Sequence, residues 1–349
     1  MTMPTTNDPQ ILITGATGFL GEALVRRLRR EGVRVRALVR GRSESLSTAD
    51  HVEIVRGDLR DAEAVQRAVK GVHTVYHLGA AMSGSLLDFE ESIVRGTQNV
   101  VEACLANNVR RLVHVSSLGV VDAGAAGRAK PVHESSPLDP QPEKRGAYTY
   151  TKALAEGIIR EAVSSRGLHA VIVRPGQIVG PRGAHRCPNA TFSVGYTWVA
   201  VGAASQQLPL VFVDDVADAL VLAGTRQGID GQTFHVIDPE NVTLGEYLKW
   251  YEGMPGRAYR SVRVPTSVMT SLATAMDAVG FVLRRSMPLS RHRVRALRPL
   301  VPFDVSAATK VLGWTPNVGM RSGLLRTFGE RRRSTAPSVA MERRAAAAR

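Results

Sequence analysis

The sequence predicts an α/β fold in which a doubly wound parallel sheet is followed by a smaller C-terminal lobe. Three observations lead to this prediction. Short apolar runs alternate with longer amphipathic stretches over the first 175 residues, a glycine-rich turn follows the first run, and the alternation ends after Arg174. Repeated β-α-β units of this kind form parallel sheets with right-handed crossovers. The composition agrees, since 44% hydrophobic and 22% charged residues are typical of a folded globular chain rather than a disordered or fibrous one.

Six short apolar runs are predicted to be buried parallel strands, because each is bounded by polar or turn-forming residues. They cover residues 10–14, 34–39, 52–56, 74–78, 111–116 and 169–174. Helical patterns follow several of these strands, at residues 21–32, 63–69 and 93–108. Beyond the sixth strand we expect a strand at 210–213, a helix at 214–224 and a strand at 232–237.

The same pattern predicts three parts of the chain. Residues 8–175 form the core domain, and residues 176–328 form a mixed region that returns the elements of 210–237 to the core and builds the lobe. Residues 329–349 form a basic, loosely ordered tail. The run 264–283 approaches the length of a membrane span, but Asp277 and several Ser and Thr residues interrupt it, so we predict a helix of the lobe.

The net charge of +14 comes from the C-terminal part of the chain. Residues 256–349, here called the basic C-terminal region, hold 18 Lys and Arg against four acids, whereas residues 1–255 are neutral overall. Such a region can face an anionic substrate or make a peripheral contact with an anionic membrane, or it can be the solvated surface of an Arg-rich chain. No DNA- or RNA-binding motif accompanies the charge, so we expect no nucleic-acid partner.

Cysteine usage and the first residues bear on the compartment. The two cysteines, Cys104 and Cys187, suggest neither a disulfide framework nor a metal cluster, so we expect no metal site and a reducing environment. The first ten residues lack the basic start and the apolar run of a signal peptide. We therefore expect a cytoplasmic protein.

The turn after the first strand has the spacing of a dinucleotide-binding loop. Gly15 permits a tight turn, Gly18 lets backbone N–H groups approach a pyrophosphate, and Gly21 allows close packing of the following helix. A strand followed by a glycine turn and then a helix indicates a Rossmann sheet. We expect the whole turn to contact the cofactor, including Thr17, Phe19 and Leu20.

Two further positions bear on the choice of cofactor. An acid at the end of the second strand would bind the ribose 2′-hydroxyl of NAD, but this chain has Arg40 there, which favours NADP(H) with NAD(H) as the alternative. Asp58, followed by Leu59 after the third strand, is placed to touch the adenine. Asp58 can equally be the cap of the next helix.

A tyrosine and a lysine share one face of a predicted helix. Tyr148 and Lys152 are four residues apart, a spacing that suits general acid–base chemistry because the ammonium stabilises the phenolate. The fifth strand ends at Ser116 and Ser117, at the sheet edge where such folds bind ligands. A serine hydroxyl there can hydrogen-bond the reacting oxygen.

The segments TGATGFLG, GDL, VSS, YTYTK and RPGQIVGP, in this order, resemble the extended short-chain dehydrogenase/reductase family, with its NAD-dependent epimerase/dehydratase and hydroxysteroid-dehydrogenase/dihydroflavonol-reductase branches. The resemblance covers Gln10 to Phe328. It implies Tyr148 as the proton donor and acceptor, Lys152 as its partner on the ribose, and Ser117 as the substrate-orienting hydroxyl. Homodimers through a helix pair are common in the family. The resemblance also implies a set of cofactor contacts near the nicotinamide: Ala80, Ala81, Pro175, Gly176 and Ile178.

The family pattern is broken at one position, since Ile93 stands where an Asn is usual, and a polar relay through that side chain is therefore not expected. Three functions compete. The first is hydride transfer between NADP(H) and a carbinol or carbonyl of a small, fairly apolar molecule, as in a ketoreductase or hydroxysteroid dehydrogenase. The second is a sugar-nucleotide epimerase with tightly bound NAD, and the third a redox-inert nucleotide-sensing scaffold.

The residues favour the first function. An intact Tyr, Lys and Ser set weighs against the scaffold. Sugar-nucleotide dehydratases usually carry Thr-Asp-Glu where this chain has Ser116-Ser117-Leu118. Sugar-nucleotide enzymes also commonly place an Arg-Asp pair where this chain has Leu208-Pro209-Leu210.

Overall fold

The computed structural model describes residues 10–41, 43, 46, 50–122, 131–183, 191–194, 197–252, 260–283, 294 and 302–334. The chain divides into two compact units. The first unit comprises residues 1–176, 213–237 and 301–317, and the second comprises residues 177–212, 238–300 and 318–349.

The first unit is built on a seven-stranded parallel sheet. In chain order its strands are β1 (Ile11–Thr14), β2 (Val35–Val39), β3 (Val52–Arg56), β4 (Thr74–His77), β5 (Arg111–Val115), β6 (Ala170–Pro175) and β12 (Thr233–Val236). In space they lie in the order β12-β6-β5-β4-β1-β2-β3. The predicted doubly wound sheet is confirmed, because the apolar runs form these strands with ends within one residue of those expected.

The chain direction across this sheet locates the ligand-binding edge. It runs outward from β1 to β3 and then returns to β4 on the other side of β1. The order therefore reverses between β1 and β4, and in open sheets ligands bind beyond the carboxyl ends of the strands at such a reversal.

Helices cover this sheet: α1 (Phe19–Arg30), α2 (Ala62–Val69), α3 (Leu86–Phe89), α4 (Gly96–Ala106), α5 (Ala147–Arg166) and α6 (Val213–Thr225). The continuous helix predicted over 93–108 is instead a π-helical segment, Glu90–Arg95, that leads into α4. A wide turn of this kind requires no particular residue type, so periodicity does not reveal it.

One hydrophobic cluster lies between the sheet and the helices α2, α4 and α5. Leu12, Val75 and Leu112 point into it from three neighbouring strands, and Val100 and Ile159 meet them from the helices, all of them with no exposed surface. Each such side chain contributes about 1.5–3 kcal/mol on burial, so this packing holds α4 and α5 against the sheet. The ends of those helices carry the residues described below.

Among its described residues, the second unit has three small sheets. Their strands are β7 (Gln177–Val179), β8 (Thr191–Val194), β9 (Thr197–Val201), β10 (Gln207–Leu208), β11 (Leu210–Phe212), β13 (Val242–Thr243) and β14 (Arg260–Val264). A three-stranded sheet has the order β14-β9-β8, strands β7 and β11 pair in parallel, and β10 pairs with β13 antiparallel. Its helices are α7 (Leu244–Glu252), α8 (Thr266–Leu283) and α9 (Met320–Ser334).

The segment predicted to return over 210–237 is divided between the units. Helix α6 and strand β12 belong to the first unit, whereas β11 belongs to the second. The helix predicted within 264–283 is α8. Within the described parts of the chain, every helix is too short or too polar to cross a bilayer. Helix α9 includes residues 329–334, so the first part of the tail predicted over 329–349 is helical and not loosely ordered. The residues beyond 334, Cys187 and several arginines of the basic C-terminal region (Arg284, Arg285, Arg291, Arg293, Arg295) lie outside the described residues.

Candidate active site

The glycine turn after β1 is pressed against the end of β4. Gly15 has a φ of 71°, and a Cβ there would lie 2.8 Å from the backbone nitrogen of Gly79. A Cβ on Gly21 would lie 2.1 Å from the carbonyl oxygen of Gly15, so α1 packs directly on the turn. A side chain at either position would push these backbone segments apart.

The N-terminus of α1 has room for an anion. Gly18 is its N-cap residue and makes no side-chain cap, and a Cβ there would meet only the Gly15 carbonyl oxygen within 4 Å. Thr17 and Gly18 are exposed, and Phe19 and Leu20 are half-buried. First-turn N–H groups without a side-chain cap favour a negatively charged ligand, so this turn fits the diphosphate of a dinucleotide.

The ends of β2 and β3 carry the charges expected near the adenosine. Arg40 is exposed directly after β2. Asp58 accepts hydrogen bonds from the backbone nitrogen of Arg60 at 2.9 Å and from its guanidinium at 2.9 and 3.0 Å. The pKa of Asp58 is held below its ordinary value by Arg60 first and also by Arg40. With the carboxylate paired to Arg60, Arg40 remains as the cation at the end of β2.

The alternative role of Asp58 as a helix cap is wrong. Asp61 is the N-cap of α2, and its carboxylate accepts hydrogen bonds from the backbone nitrogens of Glu63 and Ala64 at 3.0 and 3.1 Å. Leu59 packs on the end of β4, because a Cβ on Gly79 would lie 2.4 Å from its Cδ1 atom. The ends of β1, β3 and β4 therefore meet at one edge of the sheet.

A buried histidine holds this edge together. His77 Nδ1 lies 2.8 Å from the Thr14 hydroxyl and Nε2 lies 3.0 Å from the Thr97 hydroxyl. The Thr14 hydroxyl also accepts a hydrogen bond from the backbone nitrogen of Gly79 at 3.2 Å. Burial lowers the pKa of His77 to about 3, so the imidazole is neutral and donates through one nitrogen while accepting through the other. This bridge links α4 to the end of β1 and to Gly79 after β4.

Lys152 is anchored to the neighbouring strand. Its Nζ atom donates a 2.8 Å hydrogen bond to the carbonyl oxygen of Val115, the last residue of β5, and only 3% of the residue is exposed. Burial lowers the pKa of Lys152 to about 8, and the carboxylate of Glu156 acts in the opposite direction. The amine is thus held at the sheet edge and loses its proton at about pH 8.

Tyr148 lies among apolar side chains. Its ring meets that of Phe89 edge-on with centroids 6.4 Å apart. Phe89, Ile93 and the helix residue Ala155 form a buried cluster on which Tyr148 packs, and two alanines predicted near the nicotinamide, Ala80 and Ala81, pack on it as well. Ile93 is 1% exposed, so the position that departs from the family pattern presents an apolar side chain here.

The two adjacent serines have different environments. Ser117 is half-buried, and its Oγ atom accepts a 3.1 Å hydrogen bond from the backbone nitrogen of Gly119, so the hydroxyl hydrogen can be donated to another group. Ser116 is buried and donates a 2.6 Å hydrogen bond to Glu156. Ser117 is therefore the serine of the pair whose hydroxyl suits a contact with substrate.

The remaining predicted cofactor contacts lie on two strands. Pro175 ends β6, and Gly176 donates its backbone hydrogen to the carbonyl oxygen of Val236 in β12 at 2.9 Å. Ile178 belongs to β7 of the second unit. The other predicted site residues all belong to the first unit.

Sequence reasoning did not find several residues that support this site. Phe89, Thr97 and His77 gave no signal, because their roles depend on contacts between elements distant in the chain. Glu156 and Arg174 did carry a signal. Glu156 lies four residues after Lys152, on the same helix face, and a carboxylate there needs a partner if the face is buried.

Comparisons with known proteins show the family and agree with the fold. The model of the NAD dependent epimerase/dehydratase family matches residues 11–236. The chain is 32% identical over 319 residues to sterol demethylase protein B of Methylococcus capsulatus, covering 87% of this chain and 93% of the relative. It is 28% identical to a 2-alkyl-3-oxoalkanoate reductase of Shewanella oneidensis, covering 90% of this chain and 84% of the relative. The crystal structure of gox2253 aligns with a TM-score of 0.79 at 26% identity, covering 94% of this chain and 99% of that one.

Proposed function

Because the chain belongs to the NAD-dependent epimerase/dehydratase family, whose typical cofactor is NAD(P), we propose that it transfers hydride between NADP(H) and a carbinol or carbonyl group of a small, fairly apolar substrate. It would act as a ketoreductase or a hydroxysteroid-type dehydrogenase. A bound nicotinamide would supply or accept the hydride. The residues of the chain would bind and orient the substrate and move the proton.

Residues of the first unit would bind several parts of a dinucleotide. The turn at Gly15 and Gly18 and the N-terminus of α1 would hold the diphosphate. Arg40 would bind a 2′-phosphate, because it is exposed at the end of β2 and the nearby carboxylate of Asp58 is paired with Arg60. Lys152 would reach the nicotinamide ribose from the end of β5.

The proton in this reaction moves at the phenol of Tyr148. In the reductive direction the phenol gives its proton to the carbonyl oxygen as hydride reaches the carbonyl carbon, and in the oxidative direction the phenolate takes it back. The ammonium of Lys152 stabilises the phenolate electrostatically. The Ser117 hydroxyl, whose oxygen already accepts from Gly119, would donate to the same substrate oxygen and fix its position.

The apolar surroundings of Tyr148 carry the proposal that the substrate is apolar. The phenol packs against the cluster of Phe89, Ile93 and Ala155, together with Ala80 and Ala81. Of this set, Ala80, Ala81 and Tyr148 are half-buried and retain surface that a substrate can contact. A sugar carries a hydroxyl on nearly every carbon, and burying those groups against apolar surface would leave them without partners. The names of the two relatives given above, a sterol demethylase protein and a 2-alkyl-3-oxoalkanoate reductase, agree with a largely hydrocarbon substrate.

The experiment that tests this proposal identifies the cofactor and how tightly it is held. The purified protein is denatured, released nucleotide is identified, and the native protein is titrated with NADPH and NADH by fluorescence. We expect little released nucleotide and tighter binding of NADPH. Arg40→Ala should weaken NADPH binding about tenfold, the loss of one charge-assisted phosphate contact at an exposed site, and leave NADH binding nearly unchanged.

The opposite result would favour the sugar-nucleotide epimerase. Stoichiometric NAD released from the protein, with turnover of UDP-sugars, would contradict the proposal. Equal loss of NADPH and NADH binding in Arg40→Ala would contradict the role of Arg40. Arg34→Ala, at an exposed position just before β2, is the matched control for loss of a positive charge.

A further inference from the structure

Glu156 is a fully buried carboxylate that accepts hydrogen bonds from three side chains. Arg174 binds it through both oxygens, with Nε at 3.0 Å and Nη2 at 2.5 Å. The Ser116 hydroxyl donates at 2.6 Å, and Arg160 donates from the solvent side at 3.0 Å. Burial raises the pKa of Glu156, but these donors outweigh it and hold the pKa below its ordinary value, so the carboxylate is ionised.

The partners of Glu156 come from the strand ends that carry the site. Ser116 lies between Val115, whose carbonyl oxygen binds Lys152, and Ser117. Arg174 directly precedes Pro175 at the end of β6. Glu156 itself lies one helical turn beyond Lys152 on α5. The carboxylate of Glu156 thus connects α5, which carries the proposed acid–base pair, to the ends of β5 and β6.

We propose that Glu156 is a positioning residue that fixes the ends of β5 and β6 against α5 and thereby places Lys152 and Ser117. This inference rests on the proposed function, because Lys152 and Ser117 are the groups that Glu156 positions. It assigns Ser116 and Arg174 to the same unit: Ser116 transmits the position of Glu156 to Ser117, and Arg174 keeps the carboxylate ionised.

The electrostatic part of the argument depends on every group around Lys152. Burial, and after it the charge of the Lys152 ammonium, lowers the pKa of His77 on β4 and of His114 on β5, so both are neutral. Tyr148 precedes Lys152 by one turn on α5. Among these described neighbours, Glu156 is the one that carries a negative charge and stabilises the ammonium.

A buried ion pair is poor evidence of a contribution to stability, because an apolar pair of similar volume often replaces it without loss. Replacing the whole ion pair with apolar residues therefore distinguishes a stabilising role of Glu156 from a positioning role. If it serves only stability, the paired replacement Glu156→Leu with Arg174→Met should behave like the parent in every respect. If it positions the site, the paired variant should fold well and still be defective.

The test compares the parent, Glu156→Leu/Arg174→Met, and Ser116→Ala. The pKa of Lys152 is measured on the protein without substrate, from the ¹³Cε shifts of labelled lysine as pH varies. The chain has only six lysines, and the signal that disappears in Lys152→Arg identifies the one of interest. We expect the paired variant to keep the parent melting temperature while the pKa of Lys152 falls below that of the parent.

Catalysis supplies the second measurement. We expect kcat to fall at least tenfold in the paired variant and threefold or more in Ser116→Ala, with the KM for NADPH changed less than twofold. Glu102→Gln, which removes an exposed carboxylate of α4 that pairs with Arg166 at the end of α5, is the matched control and should change neither kcat nor the pKa of Lys152.

Each outcome has a definite meaning. A well-folded paired variant with the parent's lysine titration and kcat would overturn the positioning role of Glu156. Absence of turnover in the parent would count against the proposed function, and the lysine titration would still decide whether Glu156 acts on Lys152. Loss of folding in the paired variant, with unchanged lysine titration and kcat in Ser116→Ala, would also overturn the inference.

Discussion

At the scale of single residues, Lys152 is the group whose charge is most sensitive to its surroundings. It is buried at the end of β5, which lowers its pKa to about 8. Below that pH the amine is charged and stabilises the Tyr148 phenolate, and above it this stabilisation is lost. The proposed chemistry therefore depends on the proton of the Lys152 ammonium, which is lost near pH 8.

This predicts the pH dependence of carbonyl reduction. The kcat should be constant below the pKa of Lys152 and fall by up to about tenfold per pH unit above it, as for loss of one required proton. Lys152→Arg keeps a positive charge at all these pH values. We expect that variant to be slower and to lack the fall that begins near pH 8. A fall at the same pH in Lys152→Arg would assign the proton to another group.

The sequence identified the residue types of the site but not their partners. The four-residue spacing of Tyr148 and Lys152 can be read directly from the sequence of one predicted helix. The Val115 carbonyl oxygen, which accepts the hydrogen bond from Lys152, lies on a strand far away in the chain. The two adjacent serines look alike in sequence. They are distinguished only when Ser116 is seen to turn toward Glu156, leaving Ser117 half-buried.

At the scale of secondary-structure elements, His77 connects α4 to the ends of β1 and β4. Burial keeps its pKa at about 3, compared with 6.5 for an unperturbed histidine. Below pH 6.5 the His77 side chain binds a proton in the unfolded chain but stays neutral in the folded protein. The contribution of His77 to the free energy of unfolding is therefore complete above pH 6.5 and is lost as the pH falls toward 3.

We therefore expect acid to loosen this part of the sheet. Between pH 6.5 and pH 4, His77 should remove roughly 3 kcal/mol of unfolding free energy. In His77→Gln this slope should become shallower but not vanish, because burial also lowers the pKa of His235 to about 3. Urea unfolding at several pH values measures it, with His51→Gln at an exposed position as the control. An equal slope in His77→Gln would show that His77 is not the group responsible.

Elements with a strong local pattern were predictable and those without one were not. Each strand of the large sheet is an apolar run followed by a turn, and Asp61 marks the start of α2 by capping it. The π-helical turn over Glu90–Arg95 and short strands such as β10 have no such pattern. Their positions follow from contacts with other parts of the chain, which a single sequence does not encode locally.

At the scale of the whole molecule, α8 has apolar residues on both of its faces. Met269 and Ala273 are buried in a small cluster of the second unit, whereas Val268, Leu272 and Val279 are about half exposed. The basic C-terminal region, which contains this helix in sequence, carries 18 Lys and Arg against four acids. An exposed apolar face within a basic segment is typical of helices that lie on anionic membranes.

We expect the protein to sediment with vesicles that contain phosphatidylglycerol and much less with pure phosphatidylcholine, and added salt should weaken the association. Leu272→Gln with Val279→Gln should reduce binding at least fivefold, since each apolar side chain contributes about 1.5–3 kcal/mol when buried. Leu325→Gln, at an exposed position on α9, is the matched control. Equal sedimentation with both vesicle types, or a paired variant that forms fewer dimers and binds vesicles normally, would contradict the membrane contact.

The most direct test of the proposed reaction is to follow the hydride itself. NADPH deuterated at C4 of the nicotinamide, on either face, is incubated with a 2-alkyl-3-oxoalkanoate or a 3-oxosteroid, and the product is analysed by mass spectrometry. We predict a product one mass unit heavier with one of the two labelled cofactors, and a rate at least about 100-fold lower in Tyr148→Phe with NADPH affinity nearly unchanged. No label in any product, or full activity in Tyr148→Phe, would contradict the account.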